Sequence, residues 1–378
     1  MLDLSASLPS YLREDSNDLS IYRQAGEAIL RGEIPYRDFF IEYPPGSLPA
    51  LVVPALFSTG ESGYIALFSS EMALALVAAF ILTALAARRL LGYRAWPVPA
   101  ITFAAGAILL YPVAVTRYDA VVALALAAFC AALGGRYPLL AYAALGFGAA
   151  AKLVPALAAL PLALTGSKRV SGYAVFLGVL ALFFAPALLL GGAGFLGSLA
   201  YHADRGLQVE SLGASVLIKL GQVSAVVFRY GAFEVQGRGV ELASALSLPA
   251  TGALILVTAF FIYGEYRREG FGFGAFPRYA AALILAFMLG SKVLSPQYVV
   301  WLLPLVPLSM GGAAGITVSA IFLAACFITT QVFPVHYGDL LNLRPPGPDL
   351  LLARNLLLVL LWILLLALPY TTRGKDPP

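Results

Sequence analysis

YIALFSSEMALALVAAFILTALAA (64–87), followed at once by Arg88 and Arg89, decides the fold. A helix rises about 1.5 Å per residue and a bilayer core is about 30 Å thick, so this run is long enough to cross one. Comparable runs lie at 96–114, 171–190, 246–263, 313–333 and 351–370. Shorter ones lie at 119–134, 138–151, 153–166, 278–291 and 297–311, and Lys152, Pro155 and Ser295-Pro296 mark interruptions between them. Composition agrees. The 378 residues are 60% hydrophobic and 12% charged, with a mean hydropathy of +0.86. Soluble globular chains carry about 25% charged residues, so a soluble enzyme, a nucleic-acid binder and a disordered chain are all excluded. The expectation is an all-α, polytopic transmembrane protein of about 11 spans, organised as one domain over 1–378.

Charge sets the orientation. The loops at 88–94, 136, 167–170 and 264–278, with the tail residues Arg373 and Lys375, hold eleven of the 24 Lys and Arg. Short basic loops stay cytoplasmic. Eleven spans with an outer N-terminus put every one of them on that side. Three long segments then face outward, 1–62, 191–245 and 334–350, and they hold most of the acids. The start, Met1-Leu-Asp-Leu-Ser, lacks the basic and apolar regions of a signal peptide. Residues 1–46 carry eight acids against four arginines, which predicts a further helix upstream.

Outer connections of 50–60 residues are far longer than most loops and need a reason. The first contains SNDLSIYRQAGEAILRGEIPYRDFFIEYPPG. Leu19, Tyr22, Ala25 and Ile29 recur at helical spacing, Asp18 precedes them, and Gly32 stops the run. The apolar piece 48–57, interrupted by Pro49 and Pro54, reads as a helix lying at the interface.

D-L-x-x-Y-x-x-A-x-x-x-L-x-x-G-x-x-P-Y followed by Y-P-P resembles the first outer loop of GT-C glycosyltransferases. The chain is similar to the polyprenol-phosphate-mannose-dependent α-1,2-mannosyltransferases within that superfamily. TRYDAVVALAL (116–126), AKLVPALAALPLAL (151–164), RGLQVES (205–211) and SKVLSPQYVVWLLPL (291–305) extend the likeness across 17–311. It implies an inverting hexosyl transfer from a polyprenyl phosphate to a hydroxyl on a glycolipid or glycan acceptor. It further implies a multi-pass plasma-membrane protein with its site facing outside, in contact with membrane lipids. Such chemistry needs a carboxylate to take the hydroxyl proton and cations to hold the departing phosphate.

By that resemblance Asp18 is the base, although an Asp before a helix is also an ordinary N-cap. Asp15 and Asp38 read as solvated. Lys152, Arg205 and Lys292, with His202 assisting, are the donor-phosphate candidates. A lysine inside an apolar stretch either serves a function or snorkels to the interface. Tyr22, Tyr43, Arg117, Asp119, Gln297 and Tyr298 are candidates for sugar or acceptor contacts. Arg117 and Asp119 also read as a simple pair, and the tyrosines as interface anchors. Gln297 stands where some relatives carry a histidine. His336 and Tyr337 belong to the last outer loop.

Other patterns carry no site. GFGFG (270–274) lacks the βαβ unit of a dinucleotide fingerprint, and Cys130 and Cys326 sit in apolar runs as core residues. Neither Cys/His metal spacing nor an acidic pair predicts a metal, and no cofactor or nucleic-acid partner is expected. A lipid or sugar transporter or flippase is the competing reading. It predicts internal repeats and paired charges at mid-membrane, and the sequence offers no clear repeat.

Overall fold

The computed structural model describes residues 18–164, 168–270 and 272–368, apart from the side chains of residues 202, 203 and 269. The chain is helical almost throughout. It opens with two short helices, α1 (Asp18–Leu30) and α2 (Leu48–Phe57), then the long α3 (Gly60–Leu90). Next come α4 (Pro97–Leu109), the single turn α5 (Tyr111–Ala114), α6 (Asp119–Gly134) and α7 (Pro138–Ala151). A 3₁₀ segment, Val154–Leu164, leads to α8 (Arg169–Asp204) and α9 (Leu212–Lys219). An antiparallel hairpin follows, β1 (Val223–Arg229) and β2 (Ala232–Gly237). The remainder is α10 (Val240–Glu269), α11 (Phe276–Gly290), a 3₁₀ run from Pro296 to Leu302, α12 (Gly312–Thr330), α13 (Tyr337–Leu341) and α14 (Gly347–Ala367).

Among the described residues, six helical stretches are long and apolar enough to cross a membrane: Gly60–Leu90, Arg169–Tyr201, Val240–Arg268, Phe273–Gly290, Gly312–Val335 and Gly347–Ala367. Two expectations about length change places. The 96–114 run is not one helix, because α4 stops at Leu109 and α5 starts again beside Pro112. The 278–291 run is longer than it reads, because a 3₁₀ turn at Phe273–Ala275 extends α11 backward. Arg278, which reads as a loop charge, lies buried in the first turn of α11. Its Nε donates to the Leu365 carbonyl at 2.5 Å and its Nη2 to the Leu368 carbonyl at 2.7 Å. A cation thus closes the C-terminus of α14, where helical carbonyls lack partners.

The shorter elements fit their chemistry. Val154–Leu164 contains Pro155 and Pro161, and a 3₁₀ rise of about 2 Å per residue lets these few residues cover more depth than an α-helix. α2 is apolar and ten residues long and covers the helix expected at 48–57.

Basic connections collect at one end of the helices. Arg89, ending α3, lies against Gly134 and Gly135 at the end of α6. Arg169, starting α8, donates to the Ala163 carbonyl. At the other end, Lys152 after α7 meets Asp119 at the start of α6, and the Gln208 backbone bonds to the Lys292 carbonyl. The long segment 191–245 is mostly regular structure. Helix α8 runs on to Asp204 and α10 begins at Val240, so 191–245 is helix, a short loop, α9 and the hairpin. Among the described residues, this hairpin is the one sheet in an otherwise helical chain.

Candidate active site

A cavity of about 510 Å³ opens at the end opposite the basic connections. It is bounded by the first loop, the ends of α6 and α7, the 205–211 segment, the hairpin and the start of the 3₁₀ run at Pro296.

The loop reaches the cavity because its backbone fits closely against other elements. Gly46 of the Y-P-P-G turn lies so near α7 that a Cβ there would sit 2.5 Å from the Ala150 carbonyl carbon. Only glycine permits that approach, and it holds Tyr43 and Pro44 at the wall. The chain between α1 and α2 also leans on α8. A Cβ on Gly194 would meet the Tyr36 carbonyl oxygen, just past the kink where Gly192 takes φ 53°. The Tyr36 hydroxyl then donates to the Tyr43 carbonyl at 2.7 Å. Tyr22, Tyr43 and Tyr118 meet edge to face, with centroids 5.3–5.8 Å apart.

Three ion pairs organise the charges. Asp18 opens α1, and its Oδ2 stands 2.6 Å from Arg117 Nε. Lys152 Nζ donates to Asp119 Oδ1 at 2.9 Å, where Trp301 Nε1 also donates at 2.7 Å. Asp119 is 1% exposed. The Lys152 ammonium stands 4.8 Å from the ring centre of Tyr118, 5.2 Å from Trp301 and 5.3 Å from Tyr298. Three ring faces and one carboxylate make a desolvated lysine tolerable. Arg205 Nη2 pairs with Glu42 Oε2 at 2.9 Å and donates to the Tyr230 carbonyl at 2.8 Å. Burial pushes the Glu42 carboxyl above its ordinary range despite Arg205.

Most sequence candidates converge here. Asp18, Tyr22, Tyr43, Arg117, Lys152, Arg205, Gln297 and Tyr298 all line the cavity. Asp119 stands just behind, through Lys152 and Trp301. The expected Arg117–Asp119 pair does not form, because each residue turns to a distant partner. Lys292 is not among the lining residues, and its Nζ donates to the Arg205 carbonyl at 2.5 Å. The His202 side chain and Asp15 lie outside the described residues. Asp38 is exposed, paired with Arg37 and bonded to the Ile34 amide. His336 bonds Asp339 through Nδ1, while Tyr337 lines the cavity. Among the described residues, no group of three His, Cys, Asp or Glu is placed to hold a metal.

The sequence reading missed Glu42, Gln208, Glu210 and Trp301 in or beside the wall. Glu42 immediately precedes Y-P-P, and Gln208 and Glu210 lie inside RGLQVES, so the signal was proximity to motifs already singled out.

A polytopic helical protein with a cavity of paired acids, cations and tyrosines at one end has the architecture of a GT-C membrane glycosyltransferase. The model of glycosyltransferase family 87 matches residues 40–296, more than half of the chain, which therefore belongs to that family. No curated protein matches it. The crystal structure of ArnT from Cupriavidus metallidurans bound to undecaprenyl phosphate is similar in fold, with a TM-score of 0.51 and 16% identity, over 91% of this chain and 71% of that one. The apo form of the same protein aligns at 0.48 and 14% identity, over 91% and 72%.

Proposed function

We propose that this glycosyltransferase moves a hexose, mannose in the first instance, from a polyprenyl-phosphate donor to a hydroxyl of a glycolipid or glycan, with inversion and on the extracytoplasmic side of the plasma membrane. One observation carries the reading. A single cavity joins the Asp18 carboxylate, held by Arg117, to two cations, Lys152 and Arg205, within largely aromatic and apolar walls. That is the set such a transfer requires: a proton acceptor, a holder for the phosphate, and a concave pocket to seat the sugar. The fold shared with ArnT, whose structure holds undecaprenyl phosphate, supports a lipid-phosphate donor.

In this mechanism the acceptor oxygen attacks the anomeric carbon opposite the phosphate. Asp18 takes the hydroxyl proton as the new C–O bond forms. The bond from the anomeric carbon to the phosphate oxygen breaks with its electron pair on the phosphate, which departs as the lipid monophosphate. Lys152 and Arg205 balance the charge that gathers on it. Arg117 fixes the direction of the Asp18 carboxylate.

The test is sugar transfer in membranes from radiolabelled polyprenyl-phosphate mannose, with Asp18→Asn at matched expression. A positioned base contributes about 10²–10⁴ in rate, so the variant is expected to lose at least about a hundredfold. Equal rates in both proteins return Asp18 to a structural role at the start of α1.

A further inference from the structure

The cavity wall contains a carboxylate that the mechanism above does not use. Glu210 is 1% exposed and lines the cavity from the loop before α9. Its Oε2 accepts from Gln208 Nε2 at 3.2 Å. That amide nitrogen also reaches Ser295 Oγ at 3.1 Å, and Gln208 Oε1 accepts from the Leu294 amide at 2.8 Å. Gln208 is thereby held in place and can turn no further toward Glu210. The second carboxylate oxygen of Glu210, Oε1, has no partner. Buried polar atoms are nearly always satisfied, because leaving one unpaired forfeits its hydration. An unpaired oxygen on a cavity-lining side chain points to a ligand that supplies the missing bond.

The surroundings say what kind. The Val209 amide bonds the Phe233 carbonyl, which sets Glu210 beside the hairpin. Phe233, Phe333 and Tyr337 line the same cavity, with ring centroids 5.8 Å apart for Phe233 and Tyr337 and 4.9 Å for Phe333 and Tyr337. The charges that act on Glu210 are Arg354, which donates to its carbonyl at 2.9 Å, and Arg117, the partner of Asp18. A buried acid with an unpaired oxygen repels a phosphate, whereas a neutral ring with hydroxyls suits both it and the aromatic faces.

We propose that Glu210 holds a hydroxyl of a hexose ring seated against Phe233, Phe333 and Tyr337, and so determines which sugar is accepted in the cavity. The inference deepens the glycosyl-transfer reading and rests on it. Burial lifts the Glu210 carboxyl to about 7, above the pull of the two arginines. Both of its forms are then present at neutral pH, and a hydroxyl can bond to either.

The test measures binding to the purified full chain in detergent through its tryptophan fluorescence, in which Trp301, stacked on Tyr298 in the wall, is the cavity-lining reporter beside Trp96 and Trp362. The probes are methyl α-mannoside, methyl α-glucoside and polyprenyl-phosphate mannose. Glu210→Ala is expected to weaken at least one of them about ten- to a hundredfold, and Glu210→Gln, which keeps an acceptor oxygen, by less than about tenfold. Loss confined to the lipid-linked sugar assigns the hydroxyl to the donor, and loss confined to a methyl glycoside assigns it to the acceptor. The proposal is overturned if wild type binds none of the probes, or if the variants bind every probe as wild type does. Where the alanine variant does not fold, Glu210→Met, of similar length but with no oxygen or nitrogen to bond a hydroxyl, takes its place, and unchanged binding there overturns the proposal. Transfer assays on Asp18→Asn stand apart from this outcome. A wild type that transfers no mannose yet binds a hexoside through Glu210 defeats the donor reading alone.

Discussion

Arg205 is both the cation proposed for the phosphate and one half of a pair with Glu42, and this double engagement makes it testable. A guanidinium bonded to one carboxylate and one carbonyl still has donors to offer. Arg205→Ala is expected to weaken polyprenyl-phosphate binding about tenfold or more, as loss of a charge-assisted bond should. Glu42→Gln removes the competing anion and keeps an oxygen for Arg205, so it should bind the lipid phosphate at least as tightly as wild type. Titration of the purified protein with polyprenyl phosphate checks both. If Glu42→Gln instead abolishes transfer as deeply as Asp18→Asn is expected to, the base belongs at Glu42. Single residues were legible where a charge interrupted an apolar run, as at Lys152, or followed a family motif, as at Asp18. Their pairings were not. Arg117 and Asp119 are neighbours in sequence, but residues two apart do not face each other at a helix start. Each found its partner from an element far along the chain, Asp18 and Lys152 respectively.

Elements were legible wherever hydrophobicity was continuous, and less so where proline or a short crossing changed the geometry. The helical spacing in 19–29 matched α1, whose buried side is Leu19, Tyr22, Ala25, Gly26 and Ala28. The hairpin escaped because its strands are half exposed and show no strict alternation. Its one local signal is the Tyr230-Gly231 turn, in which both residues take positive φ, 49° and 66°, as a tight two-residue hairpin requires. The close approach of the Y-P-P-G turn to α7 was equally hidden, because it depends on two segments about a hundred residues apart. It yields a prediction. Gly46→Ala forces a methyl into the Ala150 backbone, and overpacking of this kind typically costs about 1–3 kcal/mol. The variant should melt at a lower temperature in detergent and transfer sugar more slowly. Gly178→Ala in α8, where nothing lies within 4 Å of the added carbon, is the control and should melt as wild type or slightly higher. Equal melting of the two variants removes the argument that this contact positions Tyr43.

At the scale of the whole molecule, the division of charge and the place of the cavity make one argument. Arg88 and Arg89 close α3, Arg169 opens α8, and Arg267 and Arg268 close α10, all at the end of the helices remote from the cavity. Basic ends of spans are retained in the cytoplasm, so the cavity end should face outward. The charge pattern was legible in the sequence, and the fold adds that the motif-bearing loops meet at the end opposite the basic one. Labelling can test it directly, since Cys130 and Cys326 are both buried and give a quiet background. Tyr230 at the hairpin tip is 44% exposed, and Tyr93 in the connection after α3 is 72% exposed. In intact cells an impermeant maleimide is expected to label Tyr230→Cys and to leave Tyr93→Cys untouched until the membrane is permeabilised. The reverse pattern would place the cavity in the cytoplasm. The acceptor would then have to be a cytoplasmic hydroxyl, and the lipid-linked donor would be used on the leaflet where it is made accessible from inside. Labelling of both from outside would break the link between the basic loops and orientation, and with it the main physical reason for an extracytoplasmic site.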